Sequence, residues 1–426
     1  MKQIKDHGGS ATEPLNSSTS PNRECGAVVG IRPTTRRPVR KPQRYVVGTN
    51  LSSYPHRRNF LSLPLQKYEF KLTRARDVFS LAQNRYIAHL LRRYPHTRNV
   101  LAHLYYDFNA SGCDLLHFFN TVSLGRTPWV TTFESIVPFW GWHTELMSRK
   151  ALRAMSGPHC RKLIAISNRT YDIQTQFILS RYPEYRDDIL AKTCVIHPAQ
   201  QVLVSDYEAK QLEEDTVVFT MVAKFFFLKG GIEVLRVFDR LLTQGYPIRL
   251  NIVSDMQLPQ DPPRRVTEDD IASVRRIIDR HPERIRHWGS LPNDKVLDLL
   301  IDSHVGLLPS HYDSYGFSVL EAQASACPVI TTDAVALPEI NSEEVGWVIE
   351  VEKDACGTPL YVTAVERRRL EECIEAGLLR IIEEIVSHPD MIRRKGLRAL
   401  ERIRTDHDPI KTAALLESIY DGIALG

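Results

Sequence analysis

LPSHYDSYGFSVLEAQASACPVITTDAVALPEI, residues 308–340, carries the reading of the fold, and its heart runs from Pro309 to Pro338. The apolar run His304 to Leu308 stops at Pro309. A polar turn, Ser310 to Gly316, leads into Phe317–Ala326, which fits a helix, and then into a second apolar run, Pro328-Val329-Ile330. Strand, loop, helix, strand is the repeating unit of a parallel sheet. It puts the loop and the helix N-terminus at the carboxyl ends of the strands, where unpaired N–H groups and the helix dipole favour an anionic group. Ser314, Gly316 and Ser318 are small or flexible and let a phosphate or sugar hydroxyl approach the backbone. Asp313 in the loop and Glu321 in the helix bracket this opening and could hold both sides of one bound molecule. In the competing reading Asp313 satisfies loop N–H groups and Glu321 is a solvated helix residue, since such a unit does not by itself declare a ligand.

Upstream, the same alternation repeats. Thr216 to Val222, Ile248 to Val253 and Ile285 to Trp288 read as strands, with helices over Gly231 to Leu242, Ile271 to Asp279 and near Asp294 to Ile301. Gly346 to Ile349 adds a last short strand, and Pro259 to Thr267 reads as a surface excursion. The segment Met221 to Gly231, MVAKFFFLKGG, ends a strand and opens a helix. Its Lys224 and Lys229 are spaced to meet the two phosphates of a nucleoside diphosphate as point charges, or else both face water. Gly230-Gly231 does not make a Walker A loop and no GxGxxG occurs, which lowers ATP hydrolysis and dinucleotide oxidoreduction as functions.

The first half alternates too. Tyr45-Val46-Val47 reads as a strand and Arg74 to Arg93 as a helix. Short apolar runs follow at 98–104, 113–119 and 128–132, then an amphipathic helix over 143–155 and a strand over 162–167 leading to a helix from about Thr170. Val195 to Pro198 closes this half, and 199–214 is a connection. The expected fold class is therefore α/β, two domains with parallel sheets. The divisions are a mobile segment at 1–22, domains over 23–205 and 206–405, and a terminal helix within 406–426 that packs toward the first domain.

A chain of 426 residues exceeds one ordinary core, and 43% apolar with 25% charged residues describes a water-soluble globular protein. The net charge of +4 over this length does not call for nucleic acid. Residues 31–44 carry six Arg or Lys and three Pro without an acid, a solvated strap or an anion-seeking arm. Seven scattered Cys, with no CxxC pair, suit a reduced compartment and disfavour a structural zinc. With no apolar run long enough for a span and no apolar leader, a cytoplasmic location is expected, with peripheral contact at the inner face of a membrane left open.

The order AKFFFLKG at 223–230, Gly289, and PSHYDSYGFSVLEAQASACPVI at 309–330 resembles the second half of the retaining glycosyltransferases of family 4. The resemblance covers residues 216–340 most specifically. It implies the GT-B architecture, two Rossmann-like domains facing across a cleft, with the last helices crossing back to the first domain. It implies that Lys229 contacts the donor diphosphate and that Lys224 takes the place of the family's Arg. The segment Gly316, Phe317, Ser318 and Val319, with Gly230 and Ser314 nearby, would contact the donor sugar and phosphate. Glu321 would hold the ribose hydroxyls, and Asp313, one methylene shorter than the usual Glu, would lie beside the transferred sugar. In the first half, Cys113 to His117 and Ile164 to Ser167 resemble two of the family's strands. Where the family often has a sugar-contacting His, this chain has Glu134 in PWVTTFE, leaving open whether Glu134 serves or whether His103, His117 or His143 reaches the site.

The implied reaction moves a hexosyl unit from a nucleoside diphosphate sugar (UDP- or GDP-sugar) to a hydroxyl of a glycan, lipid-linked or small-molecule acceptor, as in surface polysaccharide or glycolipid synthesis. The donor is a co-substrate. No tightly bound cofactor, metal or nucleic acid is expected. A nucleotide-sugar epimerase and a non-catalytic nucleotide- or glycan-binding protein are the alternatives.

Overall fold

The computed structural model describes residues 44–74, 77–82, 95–140, 145–210, 212, 215–256, 266–354 and 357–424. The segment 1–22, all of the basic arm but Arg44, residues 83–93 of the expected first helix, His143 and most of the excursion at 259–267 lie outside the described residues.

Along the first half the strands are β1 (Tyr45–Thr49), β2 (Tyr68–Leu72), β3 (Leu104–Tyr105), β4 (Leu115–Phe119), β5 (Val122–Ser123), β6 (Trp129–Phe133), β7 (Cys160–Ala165) and β8 (Thr193–Val195). Six of them form a parallel sheet in the order β2-β1-β4-β6-β7-β8, while β3 and β5 pair separately. Every residue of β4 (LLHFF) and β6 (WVTTF) is buried, as expected of strands covered on both faces. The sequence reading passes over β2. Its YEFKL exposes Glu69, Lys71 and Leu72, and it lies at the sheet edge, where charge is tolerated and the apolar signal is weak. The apolar run at 98–104 is mostly helix (Pro95–Ala102) rather than strand, with Leu104 opening β3.

The second sheet contains β9 (Val217–Val222), β10 (Ile248–Val253), β11 (Ile285–His287), β12 (Val305–Leu308), β13 (Val329–Thr332) and β14 (Trp347–Ile349). It is parallel throughout, in the order β11-β10-β9-β12-β13-β14. The chain runs outward from β9 to β11 on one side and returns to the other side of β9 at β12. The order therefore reverses between β9 and β12, which is where doubly wound sheets open a crevice at the carboxyl ends of their strands. In the first sheet the reversal falls between β1 and β4. The helix after β12 ends at Ala324, two residues sooner than expected. Ala326 adopts φ +52°, which turns the chain out of the helix, and the Cys327 N–H closes onto the Ala322 carbonyl.

The terminal helix, Pro409–Ala424, leaves the second sheet and lies on the first. Glu417 accepts the N–H groups of Gln66 and Lys67, Asp421 accepts from Lys67 Nζ and the Tyr68 hydroxyl, and the Tyr420 hydroxyl meets His117 Nδ1 at 2.5 Å. One apolar cluster joins Val47 and Phe119 of the first sheet to Leu308, Tyr315 and Val319 of the second and to Tyr420. Arg44–Gly426 is accordingly a single compact unit. Among the described residues no helix is long and apolar enough to cross a membrane.

Candidate functional site

The loops that follow β9 and β12 meet at the reversal of the second sheet. Gly230, with φ +82°, sits so close to the turn at Pro309 that a Cβ on it would lie 2.2 Å from the Pro309 carbonyl oxygen. The His311 N–H donates to the Leu228 carbonyl at 3.0 Å, and His311 Nε2 meets the buried Glu233 Oε1 at 3.0 Å. With the loops joined, Lys229 Nζ reaches Asp313 Oδ2 at 2.7 Å and the Tyr312 carbonyl at 2.7 Å. The other oxygen of Asp313 accepts the Tyr315 N–H at 3.0 Å, so this carboxylate both orders its loop and pairs with the lysine. The pair is mostly shielded, with side-chain exposures of 16% and 12%.

Gly316, at φ +93°, caps the helix Phe317–Ala324 and turns its first amides toward the same edge. Ser314, Phe317 and Ser318 are half-buried there, while Val319 is fully buried and faces the core rather than the opening. Glu321 is 4% exposed, not a solvated helix residue. Its Oε1 accepts from the Tyr54 hydroxyl at 2.8 Å and from Asn293 Nδ2 at 3.3 Å. Lys224 is set apart from these. It is exposed, with Nζ 5.5 Å from the centre of the Phe225 ring.

The first sheet brings its own carboxyl edge to this opening. Glu134 follows β6 and pairs reciprocally with Asn120, which follows β4: Asn120 Nδ2 donates to Glu134 Oε1 at 3.2 Å and the Glu134 N–H donates to Asn120 Oδ1 at 3.1 Å. Burial pushes the Glu134 carboxyl up, the Asn120 hydrogen bond pulls it down, the Asp313 carboxylate pushes it up and the Lys229 ammonium pulls it down. Glu134 therefore lies within electrostatic reach of the Lys229–Asp313 pair, and three of the four expected catalytic residues converge.

Of the three histidines, His117 is enclosed, with Nδ1 on Tyr420 and Nε2 on the Thr132 hydroxyl at 2.8 Å, and burial lowers its pKa to about 3. It is a core histidine with both nitrogens satisfied. His103 lies 4.5 Å from the Phe139 ring, its pKa lowered by burial to about 4.

Sequence reading did not single out Tyr54, Asn120, Arg169, Asn293 or Glu339. Glu339, carried on the turn Leu337–Glu339, reaches across to the helix Asn168–Ile173. It accepts the N–H groups of Asn168 at 2.8 Å and Arg169 at 2.7 Å and the Asn168 side chain at 3.0 Å. Arg169 Nε and Nη2 are shielded from solvent and have no hydrogen-bond partner among the described residues. Its charge bears on the Tyr312 phenol, beside Asp313. Asn120 had a legible signal, being the first polar residue beyond a buried strand end, and Arg169 a weaker one, lying in the polar run Ser167-Asn168-Arg169 after β7. Tyr54, Asn293 and Glu339 had none, because each acts on a partner more than 25 residues away in sequence.

Two parallel sheets with their carboxyl edges opposed, joined by a returning terminal helix, define a GT-B fold. Anabaena HepE, solved in complex with UDP, superposes with a TM-score of 0.54 over 89% of this chain and 100% of that one at 11% identity. A Rickettsia africae glycosyltransferase does so at 0.51 over 84% of each chain at 14% identity. Within this fold, residues 205–357 match the family described as glycosyl transferases group 1. The gpi3 subunit of Schizosaccharomyces pombe phosphatidylinositol N-acetylglucosaminyltransferase is 22% identical over 216 residues, 51% of this chain and 40% of that protein. The alpha-maltose-1-phosphate synthase of Mycolicibacterium smegmatis is 30% identical over 112 residues, 26% of this chain and 25% of that one. The chain thus spans less than half the length of these curated relatives.

Proposed function

We propose that this chain is a retaining glycosyltransferase of the family 4 type, moving a hexosyl unit from a nucleoside diphosphate sugar to an acceptor hydroxyl. The observation that carries the reading is the Lys229–Asp313 pair at the strand-order reversal of a domain that matches glycosyl transferases group 1, with Glu134 opposed to it. The donor is read as a UDP-sugar before a GDP-sugar, in keeping with the UDP bound by HepE.

In this reading Lys229 turns from Asp313 to the donor's diphosphate, and the amides after Gly316 take its oxygens. Both stabilise charge that grows on the β-phosphate as the anomeric C–O bond breaks. The acceptor oxygen bonds to the anomeric carbon on the face the phosphate leaves, and its proton passes to that phosphate. Asp313 and Glu134 hold sugar or acceptor hydroxyls, and Glu321 exchanges the Tyr54 hydroxyl for those of the ribose. Lys224, exposed on its loop, supplies a second cation if the loop folds inward on binding. The positive groups at this edge supply the charge that a metal would otherwise bring.

The test is a thermal-unfolding screen with UDP- and GDP-sugars, since a ligand that binds only the folded chain raises its melting temperature. A donor that protects is then incubated with hydroxyl acceptors and the anomeric configuration of the product read by NMR. No protection by any donor would sink the reading, and an inverted product would remove retention from it.

A further inference from the structure

A cavity of about 760 Å³ opens beside the donor site, between the first-sheet segment 54–64, the connection at 199–203 and the helices on either side of His407. Its size is that of a small-molecule site, about 300–1,000 Å³. Among the described residues Arg57, Arg58 and Arg404 line it against one acid, Asp408, whose Oδ1 is engaged by the Ile410 N–H at 2.8 Å. Arg58 is the decisive member. It is half-buried, and its Nε and Nη2 are shielded from solvent without a hydrogen-bond partner among the described residues, so these N–H groups gain an acceptor only when the side chain turns toward an anion in the cavity. The guanidinium lies over the rings of Tyr54 and Phe317, at 5.9 and 5.5 Å, contacts that leave its N–H groups unsatisfied. Gln200, also on the wall, keeps a shielded Oε1 without a donor among the described residues.

Much of the rest of the wall is aliphatic. Half-buried Leu297 faces the inside with Leu63 and the fully buried Ile403 behind, and Val202 and Ile410 stand 38% and 72% exposed. Among the described residues Tyr54 is the one aromatic ring on the wall, and its hydroxyl is committed to Glu321. A forked cation with unsatisfied N–H groups, beside a largely aliphatic wall with an apolar mouth, suits an organic phosphate attached to a hydrocarbon body. It does not suit a stacked base.

We propose that this cavity binds such a phosphate-bearing amphiphile, its phosphate on Arg58 with Arg57 alongside and its hydrocarbon against Leu297, Val202 and Ile410. The binding stands on these residues alone. That the molecule lies beside the bound donor rests on the transferase reading: Tyr54 and Asn293 belong at once to this wall and to the hydrogen bonds on Glu321, which puts it at the ribose end of the donor rather than at the sugar held by Asp313 and Glu134.

Calorimetric titration of the full chain with monomeric dodecyl phosphate, alone and with saturating UDP, tests it. The expected result is binding in both cases, weakened at least tenfold by Arg58→Gln and, independently, by Leu297→Trp, which fills the cavity from a half-buried position. UDP affinity should stay within about twofold in both variants. Absence of binding, binding that neither variant weakens, or mutual exclusion of dodecyl phosphate and UDP would overturn the proposal, the last by giving the cavity to the nucleotide. If dodecyl phosphate binds as described and UDP does not bind at all, the pocket stands and the transferase reading falls.

Discussion

The Tyr54 hydroxyl donates to Glu321 Oε1 at 2.8 Å, tying the turn after β1 to the helix after β12 across 267 residues of sequence. Burial and the Glu321 carboxylate keep this phenol protonated far above the ordinary tyrosine range, so it remains a donor at any working pH. A ribose hydroxyl reaching Glu321 must displace it. Tyr54→Phe is therefore expected to tighten UDP binding about fivefold, the effect of removing about 1 kcal/mol of competing hydrogen bond. Calorimetry with UDP reads this directly, and a weaker or unchanged affinity would show that Tyr54 helps the nucleotide or does not meet it.

Lys229 and Asp313 make the second prediction. Because both are shielded, removing the lysine strands a carboxylate, so Lys229→Met should cost about 3 kcal/mol of stability as well as activity. Adding Asp313→Asn should restore most of that stability. It should not restore turnover, which falls by about 100-fold or more in both variants if the lysine stabilises the leaving phosphate. Chemical denaturation beside an initial-rate assay separates the two effects. A double variant that recovers its rate would reduce the pair to a structural ion pair.

Much of this arrangement was legible in the chain. The runs at 217–222, 248–253 and 305–308 are apolar because both faces of the sheet are covered, so their carboxyl ends could be located, and with them Lys229, Asp313 and Gly316. What could not be read was which side chains from distant segments meet. Glu321 reads as a ligand contact or a solvated helix residue, and neither reading discloses Tyr54 and Asn293 on it, while Lys224 looks equivalent to Lys229 until the joined loops leave it exposed. Periodicity reports which side of an element is buried, and says nothing of what stands opposite.

Glu339 carries the third prediction, since it closes the N-terminus of a helix belonging to the other sheet with three hydrogen bonds. Glu339→Gln removes the charge that faces the helix dipole, at a cost of about 1 kcal/mol. If this contact holds the cleft shut, water enters more readily. The ratio of donor hydrolysis to transfer should then rise severalfold while UDP affinity changes little. Measuring both products in one reaction decides it, and a constant ratio would confine Glu339 to stability.

Acid should unfold this protein through histidines that the site does not use. His117, stacked on Phe60 at 3.9 Å, and His407, whose Nδ1 lies 2.9 Å from the Pro198 carbonyl, are buried where charging is costly, and burial lowers their pKa values from 6.5 to about 3 and about 4. The unfolded chain therefore takes up protons first. Stability should be level above pH 7 and fall progressively below about 6.5, each histidine removing about 2 kcal/mol by pH 5, with the loss continuing toward the folded values. Urea midpoints at pH 7.5 and 5.0 measure the drop. His407→Asn, whose amide nitrogen stands where Nδ1 does and keeps a donor for the Pro198 carbonyl without a titrating ring, should shrink it by about one histidine's share. An undiminished drop in that variant would assign the acid sensitivity to other groups.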